Sequence, residues 1–297
     1  MLAQRACYRN TGLLYNFLGP SPRSRISQRK GKSEFVVTLR KYAASTRKLC
    51  QSQDDNDRED PLACNIYPSR ILKFAHETVA RPNPSVFSLP GLASKPFHDL
   101  EESDEFDLKA KVVDLITPEL VGIIREECLA MREACESDYE INETEHVLHG
   151  GRWEWHSYIL KGEKQAVFET HCPSTAEFLN SIDSLQTDIP FAYAFFSSLK
   201  PFSGIDAHYG PTNLRLRCHL PLVVPEDCGI VVGGESREWK EGELLIFDDS
   251  YKHHVYHHGS TERILLLFDI WHPQISEEEK QHIVDMFDQA KRQGWLK

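Results

Sequence analysis

The stretch Leu214-Arg215-Leu216-Arg217-Cys218-His219-Leu220 alternates apolar side chains with basic or hydrogen-bonding ones. Because successive residues of a strand point to opposite faces, this pattern predicts a β-strand with Arg215, Arg217 and His219 on one face. The run extends over 213–224, and further short runs lie at 153–160, 190–200, 228–233, 243–248 and 262–271. Many short strands with turn residues between them are typical of an antiparallel sandwich or barrel, so the chain is predicted to be mainly β, of the jelly-roll kind.

Two helices are predicted to flank the strands. Thr117-Pro118-Glu119 combines a capping hydroxyl with proline at the first helical position, which predicts a helix to about residue 136. Ser276-Glu-Glu-Glu279 is a capping box and predicts a C-terminal helix. A shorter helical insert is expected near 174–183. The positions predicted to face inward are Leu120, Ile123, Ile124, Cys128, Met131 and Cys135 in the first helix, and Ile283, Met286, Phe287 and Ala290 in the last.

Charge is spread unevenly along the chain. The 34 Lys and Arg against 45 Asp and Glu give a net charge of −11, which argues against nucleic acid as a main partner. Residues 1–53 contain eleven basic residues and one acid, Glu34, which leaves about −21 for the remaining 244 residues. The two parts are therefore expected to have different roles.

Three regions follow from composition. Residues 1–53 are rich in Arg and Ser and resemble a mitochondrial transit peptide, with a disordered basic tail in a cytoplasmic protein as the alternative. Residues 54–95 are polar and then proline-rich, as expected of a linker and an extended arm, and 96–297 are predicted to form the globular domain. The eight cysteines form no C-x-x-C pair. A membrane-spanning helix would need a run of about 18 apolar residues, and the sequence contains none.

Two histidines are candidate metal ligands. His208 follows a glycine-containing turn and precedes Gly210-Pro211, and His253 comes shortly after the predicted strand 243–248, so both are expected at strand ends. Although the two are 45 residues apart, strand ends can converge at the mouth of a barrel. Neutral imidazole binds iron, zinc and copper well. The cluster His253-His254-Val-Tyr-His257-His258 adds an ambiguity, because an extended segment would place His253 and His257 on one face and His254 and His258 on the other.

The basic side chains allow two interpretations. Arg215, Arg217 and His219 on one strand face either surround an anion or form a solvated outer face. Arg263 opens the apolar run Ile264-Leu-Leu-Leu-Phe268 and must be buried, so it needs either an internal partner such as Asp248 or Asp269, or the carboxylate of a ligand. Adjacent strand residues such as Asp248 and Asp249 point apart, which makes a hydrolytic carboxylate pair, as in a zinc hydrolase, the least favoured hypothesis.

Taken together, these segments resemble the aspartyl/asparaginyl β-hydroxylases, a branch of the Fe(II)/2-oxoglutarate oxygenases. The resemblance covers about 150–273 and is carried by four stretches: 208–219, Trp239-Lys-Glu-Gly242, Ile246-Phe-Asp-Asp-Ser250, and Arg263 with Trp271-His-Pro273. It implies a double-stranded β-helix. Gly210 stands where the wider superfamily has an aspartate ligand, and this absence is typical of the branch, in which water fills the third position.

The resemblance also implies a role for each matched residue. His208 and His253 would bind the iron. Ser197 and Arg263 would hold the distal carboxylate of 2-oxoglutarate, and Arg217 and His219 the end that chelates iron. The substrate side would include Arg215 and Trp155, although Trp155 equally suits core packing.

The implied reaction decarboxylates 2-oxoglutarate with O2 to succinate and CO2 and hydroxylates an Asp/Asn-like or other anionic substrate, either a small molecule or a protein side chain. The alternative from another class is a catalytically inactive jelly-roll module that binds a small carboxylate. The two differ in whether the histidines converge on one centre.

Overall fold

The computed structural model describes residues 81–99, 106–139 and 148–295. The chain divides into two units between Arg81 and Pro82, and the second, Pro82–Lys297, is compact. The predicted transit-type segment 1–53 and most of the predicted linker lie outside the described residues. The site residues named above all belong to the second unit.

The described strands form two antiparallel sheets. In spatial order, the larger sheet contains β1 (Phe97–His98), β10 (Leu245–Phe247), β7 (Arg215–Val223), β12 (Arg263–Trp271), β5 (Ala194–Leu199), β3 (Trp153–Leu160) and β4 (Glu163–Lys164). The smaller contains β2 (Leu148–Gly150), β6 (Gly204–His208), β11 (His253–His257), β8 (Cys228–Val232) and β9 (Glu235–Glu238).

The chain passes repeatedly between the two sheets. From β5 onward it alternates between the larger and the smaller sheet, except that β8 and β9 are a hairpin within the smaller one. This is the winding of a double-stranded β-helix, so the predicted jelly roll is confirmed. Strands β6 and β11 were not among the predicted runs, and they are the two strands that contain His208 and His253.

Helices lie against the larger sheet. They are α1 (Leu108–Lys111), α2 (Pro118–Ala134), α3 (Ala166–His171), α4 (Pro173–Asn180) and α5 (Glu277–Arg292), with a 3-10 turn at Val113–Leu115. The Thr117 hydroxyl accepts from the Leu120 amide, and both bonds of the Ser276–Glu279 capping box form, as predicted. Ile123, predicted to face inward, is exposed, and Val121 is buried instead. None of the described helices has the length and apolar character needed to cross a bilayer.

Two apolar clusters make up the core. One joins the larger sheet to the helices through residues such as Phe196, Phe268 and Phe287. The other lies between the sheets and includes Trp155, Leu265 and Val255. The polar site residues lie among members of the second cluster, so they are enclosed between the sheets.

The arm before β1 packs on the domain. The amide of Asn83 donates to the Ser250 carbonyl (2.8 Å), and that of Ser85 donates to the Gly210 carbonyl (3.0 Å). Phe87 is buried against the Phe287 ring, with centroids 5.9 Å apart. The described part of the arm is therefore extended but belongs to the compact unit Pro82–Lys297, and the predicted start of the globular domain at 96 stays a prediction.

Candidate metal centre and anion site

His208 and His253 face each other on neighbouring strands. They are directly paired in the antiparallel register of β6 and β11, and their ring centroids are 4.1 Å apart. His253 is buried and His208 half-buried. The two histidines that the sequence analysis selected therefore converge, although 45 residues separate them.

Both imidazoles are held with the proton on Nδ1. His208 Nδ1 donates to the Asp206 carbonyl (2.7 Å), and His253 Nδ1 donates to the Tyr251 carbonyl (2.9 Å). A carbonyl only accepts, so in each ring the lone pair is on Nε2, as metal-binding histidines require. Burial lowers the pKa of His253 to about 3 and also lowers the pKa of His208, which keeps both rings neutral. The pair therefore fits a metal ion.

The other histidines of the cluster do not join this pair. His257 is buried on the same face of β11 as His253, whereas His254 is partly exposed on the opposite face, as the alternation predicted. His254 and His258 line a separate cavity of about 450 Å³ together with Phe202. Within 81–99, 106–139 and 148–295, no set of three His, Cys, Asp or Glu side chains is placed to bind a metal.

Gly210 lies against the carboxylate of Asp249. A Cβ atom at position 210 would be 2.5 Å from Cγ of Asp249, and the Gly210 amide donates to the Asp249 carbonyl (2.7 Å). Real Cβ contacts are essentially never this short. A side chain at position 210 is therefore excluded while Asp249 keeps its place.

Arg215 and Arg217 have internal carboxylate partners. Arg215 Nη2 lies 2.6 Å from Asp249 and its Nη1 3.0 Å from Asp269, while Arg217 Nε lies 2.8 Å from Asp269 and its Nη1 3.3 Å from Asp249. Burial alone would raise the pKa of Asp249, but the two arginines hold it well below its usual value. All four side chains are buried, which excludes a solvated outer face.

This network bears on the roles expected of the two arginines. Arg215 also donates to the Phe191 carbonyl, so its guanidinium is largely committed to internal partners, and its contact with a substrate stays a prediction. Arg217 has five N–H donors, and its bonds to Asp269 use only two of them. Donors of Arg217 remain for a ligand.

Arg263 has no ion-pair partner among the described residues. It is 1% exposed, and burial lowers its pKa to about 10. Its Nη2 donates to the Ser197 hydroxyl oxygen (2.8 Å), and its Nε meets no acceptor from the residues that the structure describes. Neither internal partner considered from the sequence is used, since Asp269 binds Arg215 and Arg217, and Asp248 accepts from the Ser250 amide. A buried arginine in this state is suited to a ligand carboxylate.

Ser197 supplies a further donor beside Arg263. Its oxygen also accepts from the indole Nε1 of Trp153 (2.8 Å). Because these two N–H groups take both hydroxyl lone pairs, the hydroxyl hydrogen is left to donate to a ligand. Trp153 was not among the predicted site residues, since one tryptophan in an apolar strand gives no signal beyond core packing.

His219 presents another buried donor. Its Nδ1 accepts from Trp239 Nε1 (3.2 Å), so its proton is on Nε2, and Nε2 has no partner within the described parts of the chain. Burial lowers the pKa of His219 well below its usual value, and the ring is therefore neutral. Arg263 Nε, the Ser197 hydroxyl and His219 Nε2 thus give the space between the sheets three donors that no described acceptor uses, which is the pattern expected of a site for carboxylate oxygens.

Trp155 lies in an aromatic cluster. Its ring stacks on Phe195 with centroids 4.1 Å apart and contacts Tyr139 at 5.1 Å and Tyr193 at 6.0 Å. Trp155 is buried, so these contacts account for it as core packing. Its predicted contact with substrate stays a prediction.

A double-stranded β-helix with two converging imidazoles beside a buried anion site defines a jelly-roll protein with a candidate metal centre. Comparison with known proteins shows to which family within this class the chain belongs. The family model for aspartyl/asparaginyl beta-hydroxylase matches residues 120–273, just over half of the chain. The chain belongs to the aspartyl/asparaginyl beta-hydroxylase family.

Relatives show how much of the chain is shared. Aspartate beta-hydroxylase domain-containing protein 2 of Xenopus tropicalis is 33% identical over 211 residues, covering 69% of this chain and 54% of its own length. The aspartyl/asparaginyl beta-hydroxylase of Mus musculus is 29% identical over 200 residues, 67% of this chain and 26% of that protein. The chain thus spans about half the length, or less, of these relatives.

Solved structures show weaker similarity. A prolyl-4-hydroxylase from Pseudomonas putida aligns with 55% of this chain and 98% of its own, at 15% identity and a TM-score of 0.36.

Proposed function

We propose that this protein is an Fe(II)- and 2-oxoglutarate-dependent dioxygenase that hydroxylates an Asp/Asn-like or other anionic substrate. The reaction would convert 2-oxoglutarate and O2 to succinate and CO2. Family membership supports a hydroxylase, and the observation that carries the cosubstrate is Arg263, a buried cation without a carboxylate partner among the described residues. A dicarboxylate would supply the missing anion.

Iron would be held by Nε2 of His208 and Nε2 of His253. When bound, it would supply the activation of O2 that protein side chains cannot perform. The protein's part is to keep both rings neutral by burial and to fix their orientation through the carbonyls of Asp206 and Tyr251. These contacts support a metal centre that is ready before any ligand arrives.

The two carboxylates of 2-oxoglutarate would be bound by different side chains. One would accept from Arg263 and from the hydroxyl of Ser197, which Trp153 orients. The other would accept from Nε2 of His219 and from Arg217, which Asp269 holds in place. Because these groups are enclosed between the sheets, they are shielded from water, which strengthens each charge-assisted bond.

The proposal of an anionic, Asp/Asn-like substrate is supported mainly by the family to which the chain belongs, and less by the charged side chains of the site. Arg215, the cation expected on the substrate side, is paired with Asp249 and Asp269. The aromatic side chains of Trp155, Tyr193 and Tyr139 would instead form the wall next to which the substrate lies. The convergence of His208 and His253 favours an enzyme over an inactive carboxylate-binding module.

The decisive experiment is turnover of 2-oxoglutarate. The chain, purified without oxygen and loaded with Fe(II), should form succinate when O2 is admitted, and Arg263→Met should abolish this while His254→Ala should not. Acceptor candidates should then be screened by mass spectrometry for addition of one oxygen atom. Absence of both metal binding and 2-oxoglutarate binding in the unaltered chain would reject the proposal.

A mitochondrial location is proposed separately, from the basic composition of 1–53. A fluorescent reporter fused after residue 297 should enter mitochondria, and deletion of residues 2–53 should leave it in the cytosol. Equal distribution of the two fusions would contradict this location.

A further inference from the structure

We propose that Trp239 is a positioning residue for the cosubstrate: its indole N–H fixes the tautomer of His219, so that a ligand carboxylate meets a donor. This inference rests on the proposed function and deepens it. It assigns a role to a side chain that is not among the residues proposed to hold the metal or the carboxylates.

The hydrogen bond between the two rings determines where the His219 proton resides. An indole nitrogen can only donate, and Trp239 Nε1 lies 3.2 Å from His219 Nδ1. His219 Nδ1 must therefore present its lone pair, which places the single proton of the neutral ring on Nε2. With the opposite tautomer, Nε2 would present a lone pair to a carboxylate oxygen and repel it.

The His219 ring is fixed in place by its neighbours. The Phe247 ring meets it edge to face with centroids 4.9 Å apart, and the Trp239 ring lies at 5.8 Å. Both His219 and Trp239 are only 4% exposed. Water therefore cannot replace the indole donor without a rearrangement of the core, and the N–H of Trp239 is the group that selects the tautomer.

The same indole also covers Arg263. The guanidinium carbon of Arg263 lies 5.1 Å from the centroid of the Trp239 ring, an attractive cation–π arrangement. This contact partly offsets the burial of a cation and uses none of its N–H donors. Trp239 thus touches a group at each end of the proposed cosubstrate, His219 on β7 and Arg263 on β12. Phenylalanine would keep the second contact and lose the first.

The first test is to measure the binding of 2-oxoglutarate to the Fe(II)-loaded 297-residue chain by calorimetry under anaerobic conditions. Trp239→Phe should weaken binding roughly tenfold, because a buried acceptor loses its donor and the wrong tautomer becomes accessible. Trp271→Phe is the matched control, since Trp271 is equally buried but packs in the core on the helix side of the larger sheet, and it should bind normally. Normal binding by Trp239→Phe would overturn the inference.

A second measurement separates positioning from packing. In a His219→Leu background, Trp239→Phe should weaken binding less than about twofold, because its effect is transmitted through His219. A tenfold loss in both backgrounds would mean that Trp239 acts by packing or through Arg263 alone, and would reject the role proposed here.

The tautomer can also be read directly, without ligand and without a variant of Trp239. Nitrogen NMR of the histidine rings in the zinc-loaded chain, with His219→Asn used to assign the signal, should show a neutral ring protonated on Nε2. Protonation on Nδ1 would refute the inference. If the unaltered chain binds no 2-oxoglutarate, the proposed function fails, yet this spectrum still tests whether His219 has the tautomer that the Trp239 hydrogen bond requires.

Discussion

The carboxylate of Asp249 occupies the space that a side chain at position 210 would need, with 2.5 Å between Cγ and a Cβ built on Gly210. Asp249 is itself fixed by Arg215 and Arg217, so it cannot move aside without breaking buried ion pairs. The glycine and the salt-bridge network are therefore one structural feature.

Gly210→Ala should destabilise the protein by about 1–3 kcal/mol, because the added methyl group overpacks a rigid part of the core. Gly122→Ala adds the same group on the exposed face of α2, where nothing lies within 4 Å, and should stabilise by up to about 1 kcal/mol. Urea unfolding measures both. Equal effects of the two substitutions would show that Asp249 does not set the constraint.

Arg263→Met and Arg217→Met should differ in their effect on stability. The first removes a buried cation without an ion-pair partner in the described structure and should leave stability unchanged or raise it by about 1–2 kcal/mol. The second leaves Asp249 and Asp269 short of positive charge and should cost about 3 kcal/mol or more.

The binding of 2-oxoglutarate should nevertheless fall by roughly 100-fold in Arg263→Met, since a charge-assisted bond is lost. Thermal unfolding and calorimetry on the same samples compare the two quantities. A stability loss in Arg263→Met as large as that in Arg217→Met would indicate an internal partner for Arg263.

Metal binding should depend on two histidines of the set. His208→Ala and His253→Ala should each abolish stoichiometric binding of Co(II), followed by its visible absorption, because a single imidazole is a weak ligand set. His254→Ala removes a neighbouring imidazole from the opposite face of β11 and should bind normally. Loss of binding in His254→Ala would place the metal elsewhere.

Asp248 should make stability fall as pH rises. Burial raises the pKa of Asp248 to about 7 in the folded protein, against a pKa of 3.8 for an unperturbed aspartate. Between these values the folded state holds a proton that the unfolded state has released, so this group's contribution is greatest below pH 3.8 and is lost as pH rises through about 7. Asp248→Asn should remove this slope and stabilise the protein at pH 8 by a few kcal/mol at most, since one pKa unit corresponds to ~1.4 kcal/mol.

The measurement for Asp248 is urea unfolding from pH 4 to pH 8 for both proteins. Parallel curves would show that Asp248 ionises normally in the folded state.

The sequence predicted strands where apolar residues fill the core. The run Ile264–Phe268 lies within β12, and 153–160 coincides with β3. The runs missed β6 and β11, since Gly204-Ile-Asp-Ala-His208 and His253-His-Val-Tyr-His257 direct imidazoles inward where a core strand would have apolar side chains. For that reason, the strands of the candidate metal centre do not show the alternation of apolar and polar residues on which strand prediction depends.

The carboxylate partners of the basic residues also could not be predicted from local sequence patterns. Arg215 and Arg217 pair with aspartates far away in the chain: Asp249 is 34 residues from Arg215, and Asp269 is 52 residues from Arg217. Strand alternation placed the two arginines on one face, but only the register of β7 with β10 and β12 brings the aspartates to them. The sequence could not show whether Arg263 has an internal partner. That became clear only from the structure, in which Asp269 is paired with Arg215 and Arg217.

The arm that precedes β1 has a practical consequence for shortening the chain. Amides of Asn83 and Ser85 bond the carbonyls of Ser250 and Gly210, the loops that follow β10 and β6 and lead to or from the two histidines. A truncation at residue 96 would strip these loops of their bonds and expose the pocket that Phe87 fills against Phe287. Any shortened version intended for crystallisation or metal titration should therefore begin no later than Pro82.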